Sequence, residues 1–428
     1  MLINENLELD LRIEERAAAS WALPLEEQLA TFQEFGKRTT VIQTEAETFT
    51  GEPVKVPTYV NEFWTSKQRA ANSLHEISYR ACFKPQLPRF FIQRLCGRGE
   101  VVYDPFMGRG TTLVEAALLG RVPYGCDINP VSALLTRPRL NPPTLAQIGE
   151  RLEKIDFKSV RETRDDLLVF YHSETLREIC ALREYLLSCR QEGENDHIDD
   201  WICLVALNRL TGHSPGFFSV YTLPPNQAVS LDAQRKINET RKQKPPRRRV
   251  PDIIFKKSRG LLSDCSDTVR TTLKEVAARS LILTTPSSKT SDVPDSVVSL
   301  VVTSPPFLDV VNYVGDNWLR CWFAGIDPAA VEVTTPKKLN EWQDAMTAVF
   351  RELWRVLRPG GHIAFEVGEI RGGKVKLEEA VIPCGIQARF SPVLILINDQ
   401  KFTKTANCWG VENNAKGTNT NRIVVFRK

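Results

Sequence analysis

The chain has 428 residues, 42% hydrophobic and 25% charged, which is enough to bury a core and too long for one ordinary domain. No apolar run approaches the roughly 18 residues of a membrane helix. The opening "MLINENLELDLRIEER" is acidic and has no charged-then-apolar leader pattern, so an intracellular protein is expected. The ten cysteines form no CxxC pair and the five histidines are scattered, so neither a metal site nor a disulfide framework is expected.

Residues 1–60 carry one predicted helix, "PLEEQLATFQEFGKR", with Leu25, Leu29, Phe32 and Phe35 near helical spacing and Gly36 as its stop. This segment is expected to be an appendage packed on a larger body. From Val101 the pattern changes. "EVVYDPFMGRGTTLVEAALLGRVPYGCDINP" predicts a strand over 101–103, a glycine loop over 104–110, a helix over 111–119 ended by Gly120, and a second strand over 122–126. That is a βαβ unit of the doubly wound kind.

Residues 141–280 break the alternation. "TLAQIGERLEKI", "SETLREICALREYLLSCR" and "HIDDWICLVALNRL" predict helices, and "TGHSPGFFSVYTLPPNQAVS" is rich in Gly, Pro and aromatics. An inserted module is expected. It ends in "RKINETRKQKPPRRRVPDIIFKKSRG", where eleven Lys/Arg face two acids, while the net charge of the whole chain is only +4. Most charge runs are solvated surface. Here Pro245-Pro246 stiffen the approach to Arg247, Arg248 and Arg249, with Lys256 and Lys257 following, and a stiff basic arm suits phosphate contact.

The βα rhythm resumes near Leu281. "VVSLVVTS" predicts a strand that runs into "TSPPF", Thr303–Phe307. "EWQDAMTAVFRELWRVL" predicts an amphipathic helix, followed by strands in "RPGGHIAFEVGE", "PVLILIN" and "NRIVVFRK". The organisation expected is therefore 1–60 appendage, 61–140 first half of an α/β core, 141–280 helical and basic insertion, and 281–428 second half.

The glycine loop lacks the Gly-Lys-Ser/Thr of a phosphate loop and the third glycine of a dinucleotide fingerprint. Asp104 at the strand end repels phosphate and attracts an ammonium group. Asp127 ends the next strand, where an acid takes ribose hydroxyls. A ligand with both an amino-acid ammonium and a ribose is S-adenosylmethionine.

On these residues the chain resembles the DNA amino-methyltransferases, which methylate cytosine N4 or adenine N6. "DPFMGRGTT" is similar to their cofactor motif and "TSPPF" to their catalytic motif in its N4-cytosine form. "FKPQLPRFFI" resembles the segment that precedes the cofactor loop, and "LRPGGHIAFEVGE" and "GTNTNRIVVFRK" resemble later core segments. The likeness spans residues 79–130 and 281–428. It implies a doubly wound, mostly parallel α/β sheet of the Rossmann-like methyltransferase type, with a largely helical inserted module for DNA recognition. It implies S-adenosylmethionine as cofactor, held by Lys84, Pro85, Asp104, Phe106, Gly108, Gly110, Thr111, Thr112 and Asp127, and no metal. The partners implied are double-stranded DNA with one base flipped out, bound by the basic arm, and a candidate cognate restriction endonuclease. A cytoplasmic, DNA-associated bacterial or archaeal protein is implied. One departure is the stretch "LILTTPSS", where Thr284 and Thr285 stand in place of the acid that meets the cofactor adenine.

The exocyclic amine of cytosine is a poor nucleophile because its lone pair is delocalised into the ring. Ser304 can offer a hydroxyl oxygen and Pro305 a backbone carbonyl to the amine hydrogens. The prolines, Pro305 and Pro306, lack N–H and hold the loop stiff, and Phe307 can stack on an extruded base. Serine at the head of this motif favours cytosine over adenine. The alternatives are an adenine-N6 or RNA methyltransferase on the same scaffold and a non-catalytic DNA-binding relative. C5 methylation through the Cys384 thiol is rejected, since no activating base stands beside it in the sequence. Asp309, Asn312 and Tyr313, the asparagines of "GVENNAKGTNTNR", and His213, Tyr221, Asn226 and Gln227 are further candidates for base or DNA contact.

Overall fold

The structure is a computed structural model and describes residues 23–65, 71–79, 82–222, 228–306, 313–331, 336–370, 375–399 and 420–428. It begins with α1 (Leu25–Ala30) and an antiparallel pair, β1 (Thr40–Glu47) and β2 (Pro53–Asn61). Next come α2 (Gln86–Leu95), β3 (Val101–Asp104), α3 (Thr111–Leu118), β4 (Val122–Cys126) and α4 (Pro130–Leu140). The insertion holds α5 (Leu145–Lys154), α6 (Ser173–Glu192), α7 (His197–Arg209), α8 (Leu231–Arg241), α9 (Val250–Leu261) and α10 (Asp267–Ala277). The chain returns through β5 (Leu281–Leu283), β6 (Val298–Thr303), α11 (Tyr313–Ala324), α12 (Leu339–Val356), β7 (Leu357–Val367), α13 (Leu377–Gln387), β8 (Ser391–Asp399) and β9 (Thr420–Arg427).

The nine strands form one sheet in the order β1-β2-β8-β9-β7-β6-β3-β4-β5. Strands β3 to β7 run parallel, and β9 lies antiparallel between β7 and β8. The expected doubly wound, mostly parallel sheet is present. Period-two burial divides its side chains between two faces. Val101 and Tyr103 join the cluster that includes Phe350, Phe365 and Phe426, while Val102, Leu300, Val302 and Ala364 point to the cluster of Phe90, Phe91 and Trp64. A third cluster holds the helical insertion against α4 and α11, with Trp201 at its centre donating to Ser258 Oγ at 3.0 Å. The chain runs outward from β3 to β4 and β5 and then crosses back to β6. The direction of winding thus reverses between β3 and β6, where sheets of this kind open a ligand crevice at the carboxyl ends of the strands.

The N-terminal segment departs from expectation. The predicted helix stops at Ala30, because Thr39 Oγ1 takes the Leu29 carbonyl (2.7 Å) and Asn61 Nδ2 takes that of Phe32 (3.1 Å). Phe35 is exposed. The segment also contributes β1 and β2, so it is an extension of the sheet, with β2 parallel to β8. This hairpin shows no readable alternation. Among its strand residues Val41 and Ile42 face solvent, and Pro53 and Pro57 argue against a strand. Pro57 is tolerated because the pairing with β8 starts one residue later, at Thr58.

Candidate active site

The glycine loop leaves β3 at Asp104 and enters α3 at Gly110. Both glycines have left-handed backbones, φ +50° at Gly108 and +73° at Gly110. At Gly110 a Cβ would stand 2.3 Å from Thr136 Oγ1, so no side chain fits. The Gly108 N–H donates to Asp127 Oδ2 (2.8 Å) and the Asn129 N–H to Asp127 Oδ1 (2.9 Å). One carboxylate thus ties the loop to the end of β4.

Beside this loop lies a cavity of about 310 Å³, lined by Tyr79, Phe106, Gly108, Asp127, Ile128 and Asn129 on one side. Pro286, Ser287, Ser288, Ser304, Pro306 and the α12 residues Trp342, Met346 and Val349 close the other. Asn129 Nδ2 donates to the Tyr79 hydroxyl (3.3 Å), and Ser287 Oγ to the Pro105 carbonyl (2.6 Å). Thr285, near the expected place of the missing acid, receives the Cys126 thiol on its carbonyl. Among the described residues no cluster of His, Cys, Asp or Glu could hold a metal ion.

Several predicted cofactor residues do not line this cavity. Asp104 is 1% exposed, and its Oδ1 accepts from Thr303 Oγ1 (2.6 Å) and from the Phe106 N–H (3.1 Å). Burial pushes its carboxyl up to about 7. It ties β3 to β6 and sets the start of the loop. Thr111 and Thr112 are both buried: Thr112 Oγ1 donates to the Val302 carbonyl at 3.1 Å and holds α3 on the sheet, while Thr111 Oγ1 accepts from Arg109 Nε at 3.0 Å within the loop. Lys84 and Pro85 lie at the start of α2, and neither lines the cavity. Phe106, Gly108 and Asp127 do.

Ser304 follows the last residue of β6, and Pro305 is buried beneath it. The Pro306 carbonyl accepts a hydrogen bond from Trp342 Nε1 at 3.1 Å, and Trp342 is fully buried. Glu366 stands near the end of the neighbouring strand β7, 8% exposed, within hydrogen-bonding reach of the Ser304 hydroxyl. Asn421 Nδ2 donates to its Oε1 at 2.6 Å. Burial raises the Glu366 carboxyl to about 6 against the pull of these two partners. Sequence reasoning misses both Glu366 and the role of Trp342, which reads only as part of an apolar helix face. Phe307, Asp309 and Asn312, the Tyr313 side chain, and Asn226 and Gln227 lie outside the described residues, as do residues 410–419 of the Asn-rich stretch.

Residues 27–135 match the family model described as DNA methylase. The match spans the hairpin, the α2 segment, the glycine loop and Asp127. Over this stretch the chain is similar to the DNA amino-methyltransferases. It is 32% identical over 120 residues to the type II methyltransferase M.MjaII of Methanocaldococcus jannaschii, covering 28% of this chain and 22% of that protein. It is 22% identical over 328 residues to the type II methyltransferase M.BsoBI of Geobacillus stearothermophilus, covering 65% and 60%. A tRNA (guanine(10)-N2)-dimethyltransferase of M. jannaschii is 29% identical over 132 residues, 31% of this chain and 36% of that one. The chain therefore spans less than two thirds of each of these relatives.

S-adenosylmethionine is the methyl donor of amino-methyltransferases, and the cavity suits it. Pockets for ligands of that size are typically about 300–1,000 Å³. The Asp127 carboxylate lines the cavity and can accept from a ribose hydroxyl there. Phe106, Met346 and Val349 offer apolar surface to an adenine ring.

In the insertion, the basic segment is built into the helical body. Arg247 pairs with Glu174 at 2.5 Å, and Arg249 lies 3.9 Å from Asp252. The Arg248 N–H donates to Thr175 Oγ1 (2.8 Å) and its Nη1 to the Pro215 carbonyl (2.7 Å). Arg248, expected on DNA, is therefore an internal brace. Lys256 is exposed on α9, while Lys257 is mostly covered, 3.9 Å from Glu76, its ammonium pulled down to about 8 by burial.

Proposed function

We propose that this chain is an S-adenosylmethionine-dependent DNA methyltransferase that acts on the exocyclic N4 amine of cytosine, with the base turned out of the duplex into the cleft beside Ser304. The observation that carries this reading is the juxtaposition of Ser304, at the end of β6, with the glycine-loop cavity on one side and the buried Glu366 on the other.

The bound cofactor supplies an electrophilic methyl group on a sulfonium. The chain's part is to make the amine nucleophilic and to take away its proton. Ser304 Oγ and the Pro305 carbonyl accept from the amine hydrogens and favour a localised lone pair. The Pro306 carbonyl is already bonded to Trp342, which fixes the loop before the base arrives. Methyl transfer to the nitrogen, with the electrons of the broken S–C bond kept by the donor, would leave the amine cationic. Its excess proton passes to the Ser304 hydroxyl as that hydroxyl gives its own to Glu366, and Glu366 releases it to solvent. A carboxyl with a pKa of about 6 is ionised at neutral pH and still basic enough for this step. Rate comes from positioning and fixed dipoles, with no covalent enzyme intermediate.

The test is transfer of labelled methyl groups from S-adenosylmethionine to duplex DNA, followed by mass spectrometry of the digested product. N4-methylcytosine is expected. N6-methyladenine would overturn the choice of base and leave methyl transfer standing. Label found only in RNA would overturn the substrate.

A further inference from the structure

Resting on the methyltransferase reading above, we infer that the loop Gly212–Phe217 is the sequence-reading element for DNA, with Arg247 and Arg249 as its flanking phosphate contacts and Arg248 as the residue that positions it.

The loop springs from the end of α7, next to the active site. Asn208 Oδ1 in the last turn of α7 accepts the Ser78 N–H at 2.5 Å, and the next residue, Tyr79, lines the cofactor cavity. Thr211 shares a small cavity with Ser78 and with Asp316 and Arg320 of α11, the helix that follows the catalytic loop. The loop base is thus in contact with both segments that frame the site.

Its tip is exposed and its base is fixed, as sequence reading requires. His213 and Pro215 face solvent, with Ser214 and Gly216 half-buried between them. Beneath them the Arg209 guanidinium lies over the Phe217 ring at 4.0 Å. A Cβ at Gly212 would stand 2.4 Å from that ring, so the backbone there closes directly onto Phe217. The Phe218 N–H donates to the Arg209 carbonyl (2.8 Å), the Val220 N–H to the Phe170 carbonyl (2.8 Å) and the Thr222 N–H to the Gly212 carbonyl (3.2 Å). Tyr221 is held by Gln234 and Gln243, which both donate to its carbonyl, and Arg241 covers its ring at 3.8 Å. Tyr221 is therefore bracing. Such rigidity preserves the angle at which a side chain meets a base edge.

The basic segment then divides by role. Arg248 grips the Pro215 carbonyl at the tip and is tied through its own backbone to Thr175. Its neighbours Arg247 and Arg249 are 60% and 63% exposed on either side. Cations in that position meet phosphates and set register, while the imidazole of His213 and the hydroxyl of Ser214 can meet the hydrogen-bonding edges of bases.

The experiment compares three variants with wild type on a randomised duplex library, mapping methylated sites and measuring binding against salt. His213→Ala with Ser214→Ala should lose about tenfold discrimination at one or more positions of the recognised sequence, with an unchanged salt slope. Arg247→Ala with Arg249→Ala should keep the sequence preference and lower the slope of log K against log salt by about 0.9 for each phosphate no longer neutralised. Arg248→Met should relax the preference as the tip variant does, while cofactor affinity, measured by calorimetry, stays at the wild-type value. If the tip variant methylates the same sites with the same preference, the loop assignment is overturned and methyl transfer survives. A wild type that methylates no duplex overturns the methyltransferase reading, and the loop assignment with it.

Discussion

At the carboxyl ends of β3 and β7 the acidic groups are enclosed: Asp104 is 1% exposed and Glu366 8%. In the helical insertion Arg247 and Arg249 are more than half exposed, each beside one surface acid, Glu174 and Asp252. On the proposed function, the difference follows from what each region handles. In the proposed mechanism, taking a proton from the methylated amine needs a carboxylate whose affinity for a proton has been raised, and burial does that. Capture of a polyanion needs cations that keep their hydration until contact, and exposed guanidinium groups on a rigid support do that. Arg248 shows the contrast within one tripeptide, since it is turned inward to act on the backbone.

Breaking the enclosed side should cost most. Ser304→Ala is expected to slow single-turnover methyl transfer by about 10²–10³, the usual effect of deleting one preorganised polar partner, with cofactor and DNA binding nearly intact. A variant as fast as wild type would remove Ser304 from the mechanism. Glu366→Gln keeps the bond from Asn421 but cannot take a proton, so a loss of about 10² is expected. In wild type the single-turnover rate should fall as pH drops through about 6, because Glu366 becomes protonated there. The Gln variant should lose that limb, and persistence of the limb would point to another group.

Trp342→Phe preserves most of the ring and deletes one donor to Pro306. A loss of about 3–10-fold is expected, in kcat more than in KM, since a single hydrogen bond contributes about 0.5–1.5 kcal/mol. An equal change in KM alone would make Trp342 a wall of the cavity only. The smallest effect concerns stability. The Asp104 carboxyl is raised from 3.8 to about 7, so the folded protein holds that proton more tightly than the unfolded chain. Its contribution to stability is therefore largest below about pH 4 and declines as pH rises to about 7. Asp104→Asn keeps an acceptor for Thr303 and Phe106 and should flatten this decline. The ligand-free variant should gain melting temperature relative to wild type between pH 5 and pH 8 by a few degrees, as measured by calorimetry.

The parts legible in the sequence are those whose information is local. The strand at Val122–Cys126, the glycine loop and the helix over Thr111–Leu118 are set by a short run of glycines, β-branched residues and a strand-ending acid. The three helices after residue 144 are legible from their periodicity. Glu366 is hidden because its meaning arises only when β6 and β7 lie side by side, which brings it to Ser304 across 62 residues of sequence. Arg248 misleads for a related reason. A run of three arginines gives no sign of which one the fold turns inward. The β1–β2 hairpin escapes sequence reading because its edge strand buries only Ala46 and its partner carries two prolines.

That hairpin has a further consequence, for the order in which the protein can be made. Asn398 in β8 accepts the N–H groups of Phe63 and Trp64, 335 and 334 residues earlier in the chain. Strand β2 has no parallel partner until β8 leaves the ribosome. At roughly 5–20 residues per second, the interval is on the order of 15–70 s. During that time Phe63 and Trp64 have neither Asn398 nor most of the sheet face that later covers them, while the glycine loop and its βαβ unit can already fold behind them. The nascent chain therefore carries exposed aromatic surface of the kind that chaperones shield. Slowing translation late in the message, after the insertion is made, should lower the yield of soluble protein more than slowing it early.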